Sequence, residues 1–185
     1  HMQQQDLRRQ VMQHVQGALL LDIAYAGVVN GLFSKLGELG EASTGELAAA
    51  AQRDAGYVAR WCDSAFAFEL LDRTDAGKFA LTDLGAAFRP EAPGTLMPFA
   101  VQTVLSAHMA ERAAGLMKSG ERPGEQVLAE RETILPWFGP MLEHQFGPLL
   151  DNEILDGVPA FAKVDRKGGV AVDLGSTKLA GYLVD

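Results

Sequence analysis

Two short helix signals separated by a tight turn constrain the fold of this chain more than any other feature. Ser43-Thr44-Gly45-Glu46 has the capping-box pattern, in which a serine hydroxyl and a glutamate carboxylate satisfy free backbone donors at a helix start. Asp54 can cap a second helix, and the apolar residues after it recur at helical spacing. The pattern predicts helices from Thr44 to Gln52 and from Ala55 to about Leu71. Two short helices joined in this way form a helix-turn-helix outline.

A β-hairpin is predicted directly after this helix pair. Leu70 to Thr74 and Phe79 to Thr82 are short extended pieces that flank a turn containing Gly77. Thr82 can then cap a short helix from Asp83 to Phe88. A helix pair followed by such a hairpin has the order of a winged-helix domain.

Helical patterns extend on both sides of this unit. Apolar residues recur at helical spacing from Asp6 to Leu36, which fits one long helix or two helices with Gly31 and Gly37 as candidate stops. A further helix is predicted from Thr95 to Lys118. Residues 125–155 have the same spacing, and we expect several short, kinked helices there because prolines interrupt the pattern. These prolines are Pro136, Pro140 and Pro148.

The end of the chain has a different character. Residues 168–175 have the pattern of a buried parallel strand and the glycine turn that open a nucleotide-binding domain, and only ten residues follow Gly175. We therefore expect a lone first strand of a missing α/β domain, after a mainly α winged-helix fold with extra helices. The expected segments are 1–2 (a cloning scar), 3–88 (winged-helix dimerisation domain), 89–166 (helical extension) and 167–185 (start of a truncated nucleotide-binding domain, or an altered tail).

Composition excludes several classes of function. The formal net charge of −8 disfavours polyanionic partners, so nucleic acid is not expected as the main one. No apolar run approaches the roughly 18 residues that a membrane span needs, and no signal segment follows His1-Met2, so a cytoplasmic protein is predicted. Cys62 is the single cysteine and lies among apolar residues, which predicts a buried structural thiol. The spacing of His and Cys predicts no metal site.

The block from Leu19 to Phe88 resembles a known module. The order of Leu21-Asp22-Ile23-Ala24, residues 31–36, residues 44–48 and residues 78–85 resembles the N-terminal winged-helix dimerisation domain of S-adenosylmethionine-dependent small-molecule O-methyltransferases. The resemblance covers roughly residues 15–165. It implies a homodimer formed by the first helices and the helices after the wing, which also roof the pocket for a small aromatic or polyketide-like acceptor.

The same resemblance implies which residues serve the reaction. Cofactor and base come mainly from the catalytic domain of the intact enzyme, so no catalytic residue is expected here and the chain alone is expected to be inactive. His108 and Met109 are candidates for the acceptor pocket, as is an aromatic and Met cluster on the following segment. The alternative interpretation of His108 is a half-buried helix histidine, and that of the cluster is ordinary core packing or a dimer interface. The cluster consists of Trp137, Phe138, Met141, His144 and Phe146, and the first four are the pocket candidates.

The tail supports two different interpretations. Asp173 and Gly175 match the beginning of the S-adenosylmethionine motif, but Thr177 and Leu179 stand where that motif has glycines for close approach to the cofactor. Tight cofactor binding by this chain is therefore not expected. Residues 170–185 also resemble the first phosphate loop of actin-like ATPases and sugar kinases, in which backbone N–H groups and hydroxyls hold a phosphate.

A DNA-binding transcriptional regulator is the other alternative, because many such proteins are winged helices. Their second helix exposes several basic or amide side chains to the bases and phosphates. Here that helix offers Arg60 against Asp63 and Glu69. On the wing, Arg73 and Lys78 are balanced by nearby aspartates, so the charge argues against this function.

Overall fold

The computed structural model describes residues 2–124, 126–131 and 133–160, and this part of the chain is mainly helical. The helices are α1 Met2–Val29, α2 Leu32–Leu39, α3 Thr44–Ala51, α4 Ala55–Ala67, α5 Asp83–Ala87, α6 Met97–Ser119, α7 Gln126–Ala129, α8 Leu135–Leu149, a π-helical turn Leu150–Ile154 and α9 Leu155–Gly157. The strands are β1 Glu41–Ala42, β2 Leu71–Arg73 and β3 Phe79–Leu81. The predicted mainly α winged-helix class is confirmed, while the strand expected at residues 168–175 lies outside the described residues.

The chain divides into two compact units, His1–Gly115 and Leu116–Asp185. The domain boundaries expected after residues 88 and 166 stay predictions. No single helix among the described residues is long and apolar enough to cross a membrane. Helices Gln3–Val29 and Leu32–Leu39 are bent by 71° relative to each other. Taken together they have the length and apolar composition of a membrane span, and this likeness rests on length and composition only.

The helix pair forms as its caps predict. The Ser43 hydroxyl accepts a hydrogen bond from the Glu46 N–H at 3.2 Å, and the Ser43 N–H donates to Glu46 Oε2 at 2.7 Å. Asp54 Oδ1 accepts the N–H of Tyr57 at 2.9 Å and starts α4. The expected end of α4 near Leu71 is wrong, because Glu69 takes a left-handed backbone conformation with φ 58° and the chain then enters β2.

The wing is a hairpin with one additional strand. The antiparallel sheet has the order β1-β3-β2, with Arg73 opposite Phe79 and Leu71 opposite Leu81. Gly77 closes the turn with φ 74° and donates its N–H to the carbonyl of Thr74 at 2.8 Å. Strand β1 was not predicted, because two residues give no detectable alternation of apolar and polar positions.

Thr82 and Gly85 pack α5 against Glu69 and Leu70, the residues that precede the wing. The Thr82 hydroxyl accepts the N–H of Gly85 at 3.0 Å, which caps the helix, and lies 2.7 Å from the Glu69 carbonyl oxygen as a donor. A Cβ atom at Gly85 would overlap the carbonyl oxygen of Leu70. The glycine of the Leu81-Thr82-Asp83-Leu84-Gly85 sequence is therefore required by a close backbone approach.

An aromatic cluster forms the core of the first unit. The Phe33 ring is fully buried, meets Trp61 edge-to-face with centroids 5.2 Å apart, and stacks on Phe88 at 5.9 Å. The Trp61 Nε1–H donates to the Ile23 carbonyl at 2.9 Å, which fixes the indole ring against α1. Gly27 is needed beside this cluster, because a Cβ atom there would overlap both the Phe33 and Trp61 rings.

The prediction of a buried structural thiol at Cys62 is confirmed. Its side chain is fully buried and forms no disulfide. Burial raises the pKa of the thiol to about 11, because a thiolate would lose its hydration. The group is therefore uncharged and poorly reactive at neutral pH.

The segment predicted to form one long helix or two helices forms two, α1 and α2. Gly31, with φ 68°, separates α1 from α2. The expected stop at Gly37 is wrong, since α2 continues to Leu39 and Gly40, with φ 76°, follows it. Gly37 instead leaves room for the Arg89 side chain, because a Cβ atom there would lie 2.8 Å from Arg89 Nη1.

The expected breaks at the prolines of the second unit are partly wrong. Helix α8 begins beside Pro136, which is tolerated because the first turn of a helix has no partners for its N–H groups. The helix then continues through Pro140 and Pro148. Soon after Pro148 the backbone hydrogen bonding changes from the i to i−4 pattern to the wider i to i−5 pattern, in the π-helical turn that begins at Leu150.

Glu46 makes part of the stability of this fold dependent on pH. The hydrogen bond from the Ser43 N–H, together with Lys78 Nζ at 3.1 Å, lowers the pKa of Glu46 from 4.5 to about 2. A carboxylate with a lowered pKa stabilises the folded state above its unfolded pKa, and this stabilisation is lost as the pH falls. We therefore expect the difference in free energy of unfolding between wild type and Glu46→Gln to shrink from pH 4.5 to pH 2.

Urea unfolding at a series of pH values measures this difference. Lys78→Met is the comparison variant, and it should keep most of the pH dependence because the Ser43 N–H bond is the larger cause of the shift. If the difference in free energy of unfolding between wild type and Glu46→Gln stays constant between pH 7 and pH 2, Glu46 is not the source of this pH dependence.

Candidate functional site

The N-terminal half of α1 exposes an apolar face. Every residue from 3 to 19 is exposed, although α1 is 28 residues long and spans about 42 Å. Five large apolar side chains on this stretch are between 41% and 60% exposed. They are Leu7, Val11, Met12, Val15 and Leu19. Leu7, Val11 and Val15 follow one another at intervals of four, so they share one side of the helix.

The two acceptor-pocket candidates of the first unit are neighbours on α6 but differ in burial. His108 is 7% exposed, whereas Met109 is 49% exposed. Successive residues of a helix point about 100° apart, so one side chain can be covered while the next faces outward. The predicted role of these residues in an acceptor pocket stays a prediction.

The four candidates of the second unit all lie on α8. Met141 is buried, Trp137 and Phe138 are half-buried, and His144 is exposed. Because α8 is continuous, Trp137, Met141 and His144 recur at four and three residues and share a helix face, as the spacing predicts. Their place in an acceptor pocket likewise stays a prediction.

The cofactor candidates Asp173 and Gly175 lie outside the described residues. Within residues 2–124, 126–131 and 133–160, no group of three or more His, Cys, Asp or Glu side chains is arranged to hold a metal ion. The candidate sites in the described part of the chain are helical surfaces and cavities, of which one lies at the wing, beside Phe66 and Thr82, and another lies beside Trp61.

The basic side chains of the wing are engaged within the fold. The Arg73 guanidinium lies 4.4 Å from the centroid of the Phe79 ring and 3.7 Å from the Asp63 carboxylate. Lys78 Nζ lies 3.1 Å from a Glu46 carboxylate oxygen. Both cations therefore have carboxylate partners, which weakens the interpretation of the wing as a DNA-binding surface.

A cavity of about 280 Å³ lies where α1, the start of α2 and the start of α4 meet. Its apolar wall includes Trp61, Leu32 and Val58. The polar residues that line it, which we call its polar rim, are Arg53, Asp54, Asn30 and Tyr57. The sequence does not predict this site, because residues as far apart as Ala26 and Trp61 come together only in the folded chain. The consecutive charges Arg53 and Asp54 next to a tight turn are its only local signal.

Comparison with known proteins gives a partial result. No protein-family model matches the chain, and no curated protein sequence matches it. Two methyltransferases are among the solved structures to which it is similar. One is the N,N-8-amino-8-demethyl-D-riboflavin dimethyltransferase RosA from Streptomyces davawensis, at 20% identity and a TM-score of 0.44, over 75% of this chain and 45% of that one.

The other is CalO1, a methyltransferase in calicheamicin biosynthesis in its SAH-bound form. It has 23% identity and a TM-score of 0.42, over 90% of this chain and 43% of that one. The chain thus spans less than half the length of either protein. With TM-scores below 0.5, neither similarity decides the activity of this chain.

Proposed function

We propose that this chain is the dimerisation and substrate-pocket module of an S-adenosylmethionine-dependent O-methyltransferase that acts on a small aromatic or polyketide-like acceptor. The order of helix, capped helix pair, wing and Leu81-Thr82-Asp83-Leu84-Gly85 supports it, because that order resembles the N-terminal module of this enzyme family. The intact enzyme would be a cytoplasmic homodimer that uses S-adenosylmethionine.

The exposed apolar face of α1 is the observation that carries the dimerisation part of the proposal. A helix with no packing partner is only marginally stable in water, and residues 3–19 are exposed throughout. A second copy of α1 would bury the stripe of Leu7, Val11 and Val15 against its own. Burial of these side chains between two copies would contribute hydrophobic free energy that the single chain does not gain.

The reaction of the proposed enzyme transfers a methyl group to an acceptor oxygen. In the intact enzyme, S-adenosylmethionine would supply this methyl group from its sulfonium centre. A general base removes the acceptor proton. This chain would contribute by positioning the acceptor and excluding water, with His108 and Met109 on α6 and the α8 cluster as its candidate contacts.

The coding sequence that follows Asp185 tests the methyltransferase part of the proposal. We expect it to encode the remaining strands of a doubly wound domain and an acidic residue about 20 residues after the glycine turn, which would hold the ribose hydroxyls. Phosphate and adenosine loops of the actin-like ATPase type, or a stop codon, would contradict it.

A further inference from the structure

We infer that the cavity beside Trp61 binds a small apolar or aromatic zwitterion of the amino-acid class. The cavity measures about 280 Å³, close to the lower end of the roughly 300–1,000 Å³ range of ligand pockets. A ligand with a single ring or a branched aliphatic group fits this size. The site lies in the winged-helix unit and is independent of the proposed methyl transfer.

The apolar wall of the cavity is held in place by the fold. Leu32 and Val58 are buried, and the Trp61 indole is fixed by its hydrogen bond to Ile23 and by its contact with Phe33. A wall that does not rearrange loses little entropy when a ligand binds. An aromatic or branched side chain can therefore pack against the Trp61 ring without further ordering of the protein.

The cation on the rim is held in place as well. Arg53 Nε donates to Asn30 Oδ1 at 2.9 Å and Arg53 Nη1 donates to the Gln52 carbonyl at 3.1 Å. Asn30 in turn donates to the Ala26 carbonyl at 2.9 Å. In the described part of the chain, Arg53 Nη2 has no acceptor and no carboxylate forms an ion pair with this guanidinium. It can therefore hold a ligand carboxylate.

Asp54 places an anion next to this cation. Its Oδ1 atom caps α4 through the Tyr57 N–H, whereas no residue of the described ranges donates to its Oδ2 atom. The Tyr57 side chain is 73% exposed, so the rim near these charges is open to solvent. One fixed cation and one anion on consecutive residues, lining the same cavity as apolar side chains, match the carboxylate, ammonium and side chain of an amino acid.

The test compares three probes that share a phenyl ring: L-phenylalanine, 3-phenylpropionate without the ammonium group, and phenethylamine without the carboxylate. The shift of the Trp61 indole N–H signal in nitrogen-edited NMR of the full chain reports occupancy, and Trp137→Phe assigns the two indole signals. We expect saturable binding of L-phenylalanine with a dissociation constant on the order of 1 mM, from the usual affinity per ligand atom. The other two probes should bind about threefold to tenfold more weakly.

Two variants separate the roles of the charges. Arg53→Met should weaken L-phenylalanine and 3-phenylpropionate about threefold to tenfold and should not weaken phenethylamine, whose ammonium group it frees from a like charge. Asp54→Asn should weaken L-phenylalanine and phenethylamine and should not weaken 3-phenylpropionate, while Asn preserves the helix cap. Arg122→Met, in the second unit, makes the same charge change as Arg53→Met and should alter none of the three.

Two results would overturn the proposal. One is equal affinity of the three probes for the wild-type chain, and the other is L-phenylalanine binding that Arg53→Met leaves unchanged. Ala26→Leu keeps the test decisive, because it fills the cavity without touching a charge and should abolish binding of all three probes. Circular dichroism verifies that each variant is folded.

Discussion

Replacing Leu7, Val11 and Val15 with glutamine is expected to convert the proposed dimer into a monomer. Each side chain is at least 41% exposed in the single chain, so each has apolar surface that a second copy of α1 can bury. Burial of one such side chain contributes about 1.5–3 kcal/mol when complete, and a symmetric dimer buries each of them twice. Even partial burial therefore predicts a dissociation constant raised at least about 100-fold.

Sedimentation velocity at micromolar concentration measures this change. Glutamine is a good helix former, so the substitutions remove apolar surface without opposing the helix. Gln13→Ala with Gln16→Ala is the matched control, because both residues lie on the side of α1 opposite the stripe and should leave the dimer intact. A wild-type chain that sediments as a monomer, or a triple variant that stays dimeric, would refute the proposed role of this face.

Local signals explain why most of the winged helix could be predicted from the sequence. The Ser43 and Asp54 caps and the turn at Gly77 depend on residues three or four positions apart, so their chemistry is visible in the sequence itself. The features that sequence analysis missed depend on distant partners. Strand β1 exists because Ala42 pairs with Phe79, and the carbonyl of Glu69, the left-handed residue after α4, accepts a hydrogen bond from the Thr82 hydroxyl.

The candidate sites show the same division between local and distant information. Sequence spacing placed Trp137, Met141 and His144 on one helix face, but their different burial depends on tertiary packing that spacing does not describe. The helical spacing from Asp6 to Leu36 predicted the apolar residues of α1, and the structure adds that the large ones from Leu7 to Leu19 are exposed. The cavity beside Trp61 could not be predicted, because no short segment contains both its apolar wall and its charged rim.

Replacing Gly85 with alanine is expected to destabilise the chain by about 3 kcal/mol, at the upper end of the usual cost of overpacking a buried site. The added Cβ atom would overlap the Leu70 carbonyl oxygen, which is backbone and cannot rotate away as a side chain would. Relief requires α5 to move from the wing. That movement would break the bonds of the Thr82 hydroxyl with the Glu69 carbonyl and the Gly85 N–H.

Urea unfolding monitored by circular dichroism measures this loss, and Gly45→Ala provides the matched control. Gly45 also lies in a helix, but nothing is within 4 Å of the position that its Cβ atom would take. Alanine there should stabilise the chain by about 0.5–1 kcal/mol, because glycine loses more backbone freedom on folding. If the two substitutions change the free energy of unfolding in opposite directions, glycine is required at position 85 because of the backbone contact with Leu70. If both stabilise the chain equally, α5 can be displaced freely.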